Sequence, residues 1–330
     1  ERQEVAVAFE MAFRGELKSF DPSKPIADQL RIVPAIKGKV SVYFPAEKET
    51  SGLRFHLHAP FIPELSRASI KNSPENTPLF EQLAVVSARA LHAIKELGLL
   101  AGDFLAVLPN NDDSLSDRYK GIRQAIISEM KSQPLVPTVS GDFAPASRLL
   151  QSRAPIKVLL SDDDIAFVAN RSDQPTWVIG ATQRNQNQDK FLTSLGIPTW
   201  DAEDLKRFFE TKARKSVGLW DKCELSPGVL SWLAGKSFEW LQALYALLYR
   251  HCEGPDGYGK LQTAYFIRLV SGSWGTGDIA YFQTGPASAT DPLHRVDDRI
   301  LTDGTKKTQQ QDARLFLERI GVREPNELDE

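Results

Sequence analysis

From Thr77 to Gly98 the chain sets Leu79, Leu83, Val86, Ala90, Ile94 and Leu97 at spacings of three and four, the period of one helical face. Thr77 is a good N-cap, Pro78 suits the first helical position, and Gly98 suits the left-handed residue that ends a helix. A helix of this length with one apolar stripe must bury that stripe against other elements. The segments on either side are therefore read for what they can offer it.

Upstream, "EVAVAFEMAF" reads as a strand closed by the Arg14-Gly15 turn. "KVSVYFP" (39 to 45) and "LRFHLHAPF" (53 to 61) carry period-two patterning, and the polar residues between them predict an antiparallel hairpin. Downstream, "DFLAVLP" (103 to 109) reads as a short buried strand. Residues 116 to 131 place Tyr119, Ile122, Ile126, Ile127 and Met130 on a second helical face. The predicted order is β-β-α-β-α, a compact α/β unit ending near Gln133.

Beyond it, "LVPTVSGDFAPASRLL" predicts a strand, a Ser140-Gly141 turn, a return strand and a helical turn after Pro145. Short helices are expected over 162 to 170, 188 to 195 and 201 to 212, with "TWVIG" a buried strand. Two further helices flank Gly235, the second bearing Phe238, Leu241, Leu244, Tyr245 and Leu248. "AYFIRLVSGSWGTGDIAYFQTG" reads as one β-hairpin, 290 to 307 as a charged loop, and the last helix presents Ala313, Phe316, Leu317 and Ile320 on one face. The fold class is thus α/β followed by irregular α+β. The domain expectation is a trailing strand and linker over 1–34, an α/β domain over 35–134 and an α+β region over 135–330.

Composition removes several function classes. Lys and Arg total 40 against 43 Asp and Glu, with no basic footprint, which argues against nucleic acid as a partner. Cys223 and Cys252 belong to no CxxC or Cys/His spacing, so neither a disulfide framework nor a zinc site is expected and a cytoplasmic location fits. The longest apolar stretch, "WLQALYALLY", is about half the roughly 20 residues a membrane span needs, so no membrane partner is expected. The chain opens on a strand-like run and stops in the charged "EPNELDE", and we expect a further segment upstream.

No Walker loop, GxSxG elbow or Rossmann fingerprint occurs. His56 and His58 share a strand face, but two imidazoles without a third ligand suit hydrogen bonding better than a metal. Asp162, Asp163 and Asp164 begin a helix, where carboxylates cap backbone N–H groups. Lys306 and Lys307 read as a solvated pair. Trp274 lies in the Gly-rich hairpin tip and is either a partner contact or folded back on its sheet.

Arg67 is singled out by the words around it. "ELSRASIKN", after the two strands and before the long helix, resembles the middle domain of the ninety-kilodalton heat-shock chaperones and their relatives in the GHKL ATPase group. "GKVSVYFPAEKETSGLRFHLHAPF", "GLLAGDFLAVLPNNDD" and "LVPTVSGDFAPASRLL" are more similar still to the sacsin-type ATP-binding proteins. The resemblance covers most of the chain and is specific mainly over residues 35 to 150. It implies a second domain of the ribosomal-protein-five-like type, whose arginine reaches the γ-phosphate of ATP held by the preceding domain. Here Ser66 and Arg67 match the family's Ser-Arg pair. Glu64 stands in place of its Asn, Ala68 in place of its Glu, and Lys71 where a phosphate-side Gln would lie.

The implied role is in a chaperone-like GHKL ATPase, with Arg67 catalytic and Arg67, Ser66 and Lys71 on the nucleotide side. ATP and magnesium would be bound mainly by the upstream domain, and this chain alone would not turn over ATP. The implied partners are that domain and a protein client, and a homo-oligomer is compatible. A protein-interaction scaffold without nucleotide contact, or a subunit of a bacterial nucleic-acid-processing or defence system, are the alternatives.

Overall fold

The computed structural model describes residues 4–180, 186–215, 223–251, 258–283 and 293–326, so Cys252 lies outside the described residues. The fold is mixed α/β with small sheets, divided into two compact units: Glu1–Gln151 with Asp173–Thr199, and Ser152–Ser172 with Trp200–Glu330. These divisions differ from the expected boundaries at 34 and 134. Ala6–Ala8 is a strand of the same sheet as His56–His58, and Trp177 and Val178 return to the backbone of Val139 and Leu150, which ties 173–199 to the first unit.

In the first unit, "EVAVAFEMAF" forms two strands. Ala6–Ala8 pairs antiparallel with His56–His58, while Glu10–Phe13 pairs antiparallel with Leu30–Val33. The break falls at Phe9, whose ring meets Phe55 at 5.1 Å and Phe104 at 5.7 Å. The expected hairpin of 39–45 with 53–61 is not antiparallel: Val40–Ser41 and His56–His58 run parallel. The polar connection does not make a tight turn. Lys48 donates its N–H to the Ala68 carbonyl and Glu49 accepts from the Ile70 N–H, so the chain detours to a neighbouring hairpin and re-enters from the same end.

The long helix is Thr77–Glu96, preceded by a 3₁₀ turn, Pro74–Asn76, so Thr77 is its first residue and not its cap. Its buried line is Leu79, Leu83, Ser87, Ala88, Leu91 and Ile94, with Val86 and Ala90 flanking and Leu97 half exposed. Gly98, at φ +72°, ends it. The second helix, Asp117–Ser132, buries all five expected residues. The expected strand at 103–109 is instead a 3₁₀ helix, Asp103–Ala106, with Phe104, Leu105, Val107 and Leu108 fully buried. A continuous apolar run carries no alternation, so its period cannot distinguish strand from helix.

The second unit packs the helix Phe238–His251 against Lys307–Arg319. Tyr245 stacks on Phe316 at 5.4 Å, Phe266 lies edge-on to both, and the Tyr245 hydroxyl donates to the Phe266 carbonyl at 2.9 Å. Deleting a ring such as Phe316 from this core costs about 3–5 kcal/mol. The stretch expected to be one hairpin does not close on itself. Ile267–Arg268 pairs antiparallel with Trp274–Gly275, but Ala280–Tyr281 pairs parallel with His294–Arg295. The redirection occurs at Gly277, where an added Cβ would lie 1.9 Å from the Ile320 carbonyl oxygen, so the chain turns hard against the end of the last helix. The described part of the charged loop therefore contains a strand and a short helix, Arg299–Thr302.

Ser161 and Asp164 form a capping box at Asp162–Val168, in keeping with the helix-start reading of the three aspartates. The Asp164 carboxylate also accepts from the Trp232 indole at 2.8 Å and pairs with Lys236. Lys236 lies 5.1 Å from the Trp232 ring centre and 5.2 Å from that of Trp240. Among the described residues no helix is long and apolar enough to cross a membrane.

Candidate functional site

Residues 62–71 form a small hairpin. Pro63 bridges Ile70, Glu64 donates to the Ser69 carbonyl at 2.9 Å, and Lys71 donates to the Ile62 carbonyl at 3.0 Å. At the tip the Arg67 N–H closes a turn on the Glu64 carbonyl at 2.8 Å, and Arg67 has φ 57°. That is the left-handed position of a turn-plus-bulge connection, which favours glycine because it has no Cβ. An arginine there stores backbone strain that the surrounding hydrogen bonds must hold.

Several contacts hold it. The Ser66 hydroxyl accepts from the Ala68 N–H at 3.3 Å, and the Lys48 N–H reaches the Ala68 carbonyl at 2.8 Å. At the base, the fully buried Asn76 side chain accepts from Ile62 N–H and donates to the carbonyls of Ile62 and Lys71. Behind it, Glu49 accepts from Ile70 N–H at 3.1 Å and from the Tyr119 hydroxyl at 2.7 Å, with Arg118 3.5 Å away. Burial and then the Glu49 carboxylate push the Tyr119 phenol well above its ordinary value, so it stays a neutral donor.

The Arg67 side chain is exposed. Its guanidinium carbon lies 5.7 Å from the Phe44 ring centre, and the guanidinium makes no ion pair or hydrogen bond among the described residues. Ser66 is beside it at the tip. Lys71 is at the base, where its charge contributes to holding the Glu75 carboxyl below its ordinary value, after the hydrogen bonds from Ser73 and from the Glu75 backbone. Ser66 and Arg67 are thus brought together, and Lys71 is separated from them by the length of the hairpin arm.

No family model, curated protein or solved structure matches this chain.

His56 is held by hydrogen bonds: its Nδ1 accepts from Lys39 N–H at 3.0 Å and its Nε2 faces Glu10 at 3.1 Å. His58 lies edge-on to Tyr43. Among the described residues no group of three or more His, Cys, Asp or Glu could hold a metal ion. Trp274 is part-buried with Arg268 over its ring at 5.1 Å. In the second unit a cleft of about 520 Å³ is lined by Val158, Leu159, Trp240, Leu247, Arg250 and Lys306, among others, and none of the residues singled out for nucleotide contact lies in it. Sequence reasoning missed Asn76, Glu49 and Phe44. Asn76 had a signal: a polar residue just before a strong helix start, where a side chain can serve neighbouring backbone.

Proposed function

We propose that this chain is the coupling region of a GHKL-type, sacsin-like ATPase, in which Arg67 contacts the γ-phosphate of ATP bound by an upstream domain. The observation that carries the reading is the state of Arg67: exposed, without a carboxylate partner, and presented on a strained tip whose base is anchored by buried side chains. A permanently charged, planar fork suits phosphate oxygens, and such an arginine supplied from a second domain stabilises charge that develops in phosphoryl transfer. The Ser66 hydroxyl accepts from Ala68 N–H and keeps its own proton available for a phosphate oxygen.

The element order of the first unit also supports the reading. Within residues 40–132, two strands, a long helix, a buried connection and a second helix follow the implied ribosomal-protein-five-like order, with the strands parallel where a hairpin is implied and a 3₁₀ turn in place of the third strand. ATP would supply the transferable γ-phosphoryl group, with magnesium held by the upstream domain. The residues of this chain would orient and neutralise the phosphate when the two domains close. The second unit would serve a protein client or partner.

The test is ATP turnover by the intact protein with Arg67 replaced by Ala. Lost turnover with retained nucleotide binding is the expected result. Unchanged turnover would return the chain to the scaffold reading.

A further inference from the structure

The polar connection between Val40–Ser41 and His56–His58 runs along the return arm of the Arg67 hairpin. Lys48 donates its N–H to the Ala68 carbonyl at 2.8 Å, and one oxygen of Glu49 accepts from the Ile70 N–H at 3.1 Å. The other oxygen accepts from the Tyr119 hydroxyl at 2.7 Å and lies 3.5 Å from Arg118. Arg118 in turn donates to the Ile70 carbonyl at 3.3 Å. Ile70 is therefore held through both of its backbone groups, and each hold leads to the first turn of the helix Asp117–Ser132.

Stability alone is a poor account of a carboxylate in this place. The Glu49 side chain is only 10% exposed, and a charge taken out of water regains its lost hydration only in part from one cation at 3.5 Å. Apolar replacements of such pairs are often neutral or stabilising. What the carboxylate supplies is direction. Its two oxygens are separately engaged, so it cannot rotate without breaking a bond, and it ties the hairpin to a helix anchored by Tyr119, Ile122, Ile126, Ile127 and Met130. Arg67 is three residues from Ile70, about 10 Å of extended chain, so a tilt of about 6° at Ile70 displaces the tip by about 1 Å. A misplacement of about 1 Å can cost about a hundred-fold in rate.

We infer that Glu49 is a positioning residue for Arg67, setting the angle at which the hairpin presents the guanidinium. The inference rests on the γ-phosphate role proposed above for Arg67. Glu49 touches no phosphate in this arrangement and acts only through the return arm. The connection that carries it is thereby part of the site, although it lies well before Arg67 in sequence.

A double-mutant cycle on ATP turnover by the intact protein tests it, with nucleotide affinity measured alongside. Glu49→Ala should lower turnover by about ten- to a hundred-fold while affinity stays within about two-fold. Glu49→Gln keeps an oxygen for the Ile70 N–H and should recover most of the rate. In the Arg67→Ala background, Glu49→Ala should cost less than about two-fold, because the group through which it acts is gone. Should Glu49→Ala melt below the assay temperature, Tyr119→Phe takes its place in the cycle, since it keeps the ring and removes one bond to the carboxylate, and its expected loss is about three- to ten-fold. Parental turnover in the Glu49 or Tyr119 variant, where Arg67→Ala is slow, overturns this inference alone. So do losses that multiply in the double variant, which would place Glu49 in the fold at large. Parental turnover in Arg67→Ala, or a parent without ATPase activity, removes the γ-phosphate reading and this inference with it.

Discussion

Asn76 and Ile62 exchange hydrogen bonds as two residues of a β-ladder would: the Ile62 N–H donates to Asn76 Oδ1 at 2.8 Å, and Asn76 Nδ2 donates to the Ile62 carbonyl at 3.1 Å. The same amide group also donates to the Lys71 carbonyl at 2.9 Å. One side chain therefore closes both arms of the Arg67 hairpin onto the start of the long helix. Asn76→Ala should cost about 3 kcal/mol in urea unfolding, since buried backbone groups lose their partners. Amide exchange at Glu64 and Lys71 should accelerate. Asn76→Asp should be no better, because a carboxylate cannot donate to the two carbonyls.

Arg67 gives a second, separable prediction. Arg67→Gly and Arg67→Ala both remove the contact with Phe44, so their difference isolates the backbone. At φ 57° the glycine variant should be the more stable by about 1–2 kcal/mol, measured by denaturant unfolding. Equal stabilities would mean that the tip does not hold its left-handed residue.

Two glycines make a paired test of close approach. A Cβ on Gly38 would lie 2.4 Å from the carbonyl oxygens of both Leu53 and Phe55, whereas one on Gly121, inside the second helix, would meet nothing within 4 Å. Gly121→Ala should stabilise by about 1 kcal/mol through helix propensity. Gly38→Ala should destabilise by roughly 3 kcal/mol or more, because backbone must move. Thermal melts of the two variants should shift in opposite directions.

Asp164 sets an acid limit. Burial opposes its charge, but the hydrogen bonds from Lys236, Trp232 and Ser161 outweigh that and hold its carboxyl below the ordinary value. A lowered folded-state value means that the unfolded chain binds the proton more readily. The stabilisation is therefore complete above the ordinary carboxylate range, about pH 4, and is lost as pH falls through the folded-state value. Lys236→Ala should raise the pH of acid unfolding. At neutral pH it should cost about 1–3 kcal/mol, because the carboxylate loses its charged partner and keeps only the Trp232 and Ser161 hydrogen bonds.

The helices were legible because their signal is local. The face Tyr119, Ile122, Ile126, Ile127, Met130 and the stop at Gly98 need no tertiary information. What misled was pairing. Val40–Ser41 and His56–His58 alternate as an antiparallel hairpin would, and only the hydrogen bonds of Lys48 and Glu49 to the 62–71 hairpin reveal why the chain detours and the strands run parallel. The turn Asp103–Ala106 was hidden by a continuous apolar run, in which Phe104, Leu105, Val107 and Leu108 are all buried and leave no period to read. At the candidate site, Ser66 and Arg67 could be named from sequence. The left-handed tip and the Asn76 clamp could not, since both depend on contacts across the fold.

ATP turnover and nucleotide affinity of the intact protein, assayed side by side, test the γ-phosphate role of Arg67 most directly. Arg67→Ala should lower turnover by ten-fold to a thousand-fold, about 1.4–4 kcal/mol of transition-state interaction, while affinity changes little. Arg67→Lys should restore only part of the rate, because an ammonium lacks the planar fork. A parent protein without ATPase activity, or an Ala variant that turns over ATP at the parental rate, would contradict it.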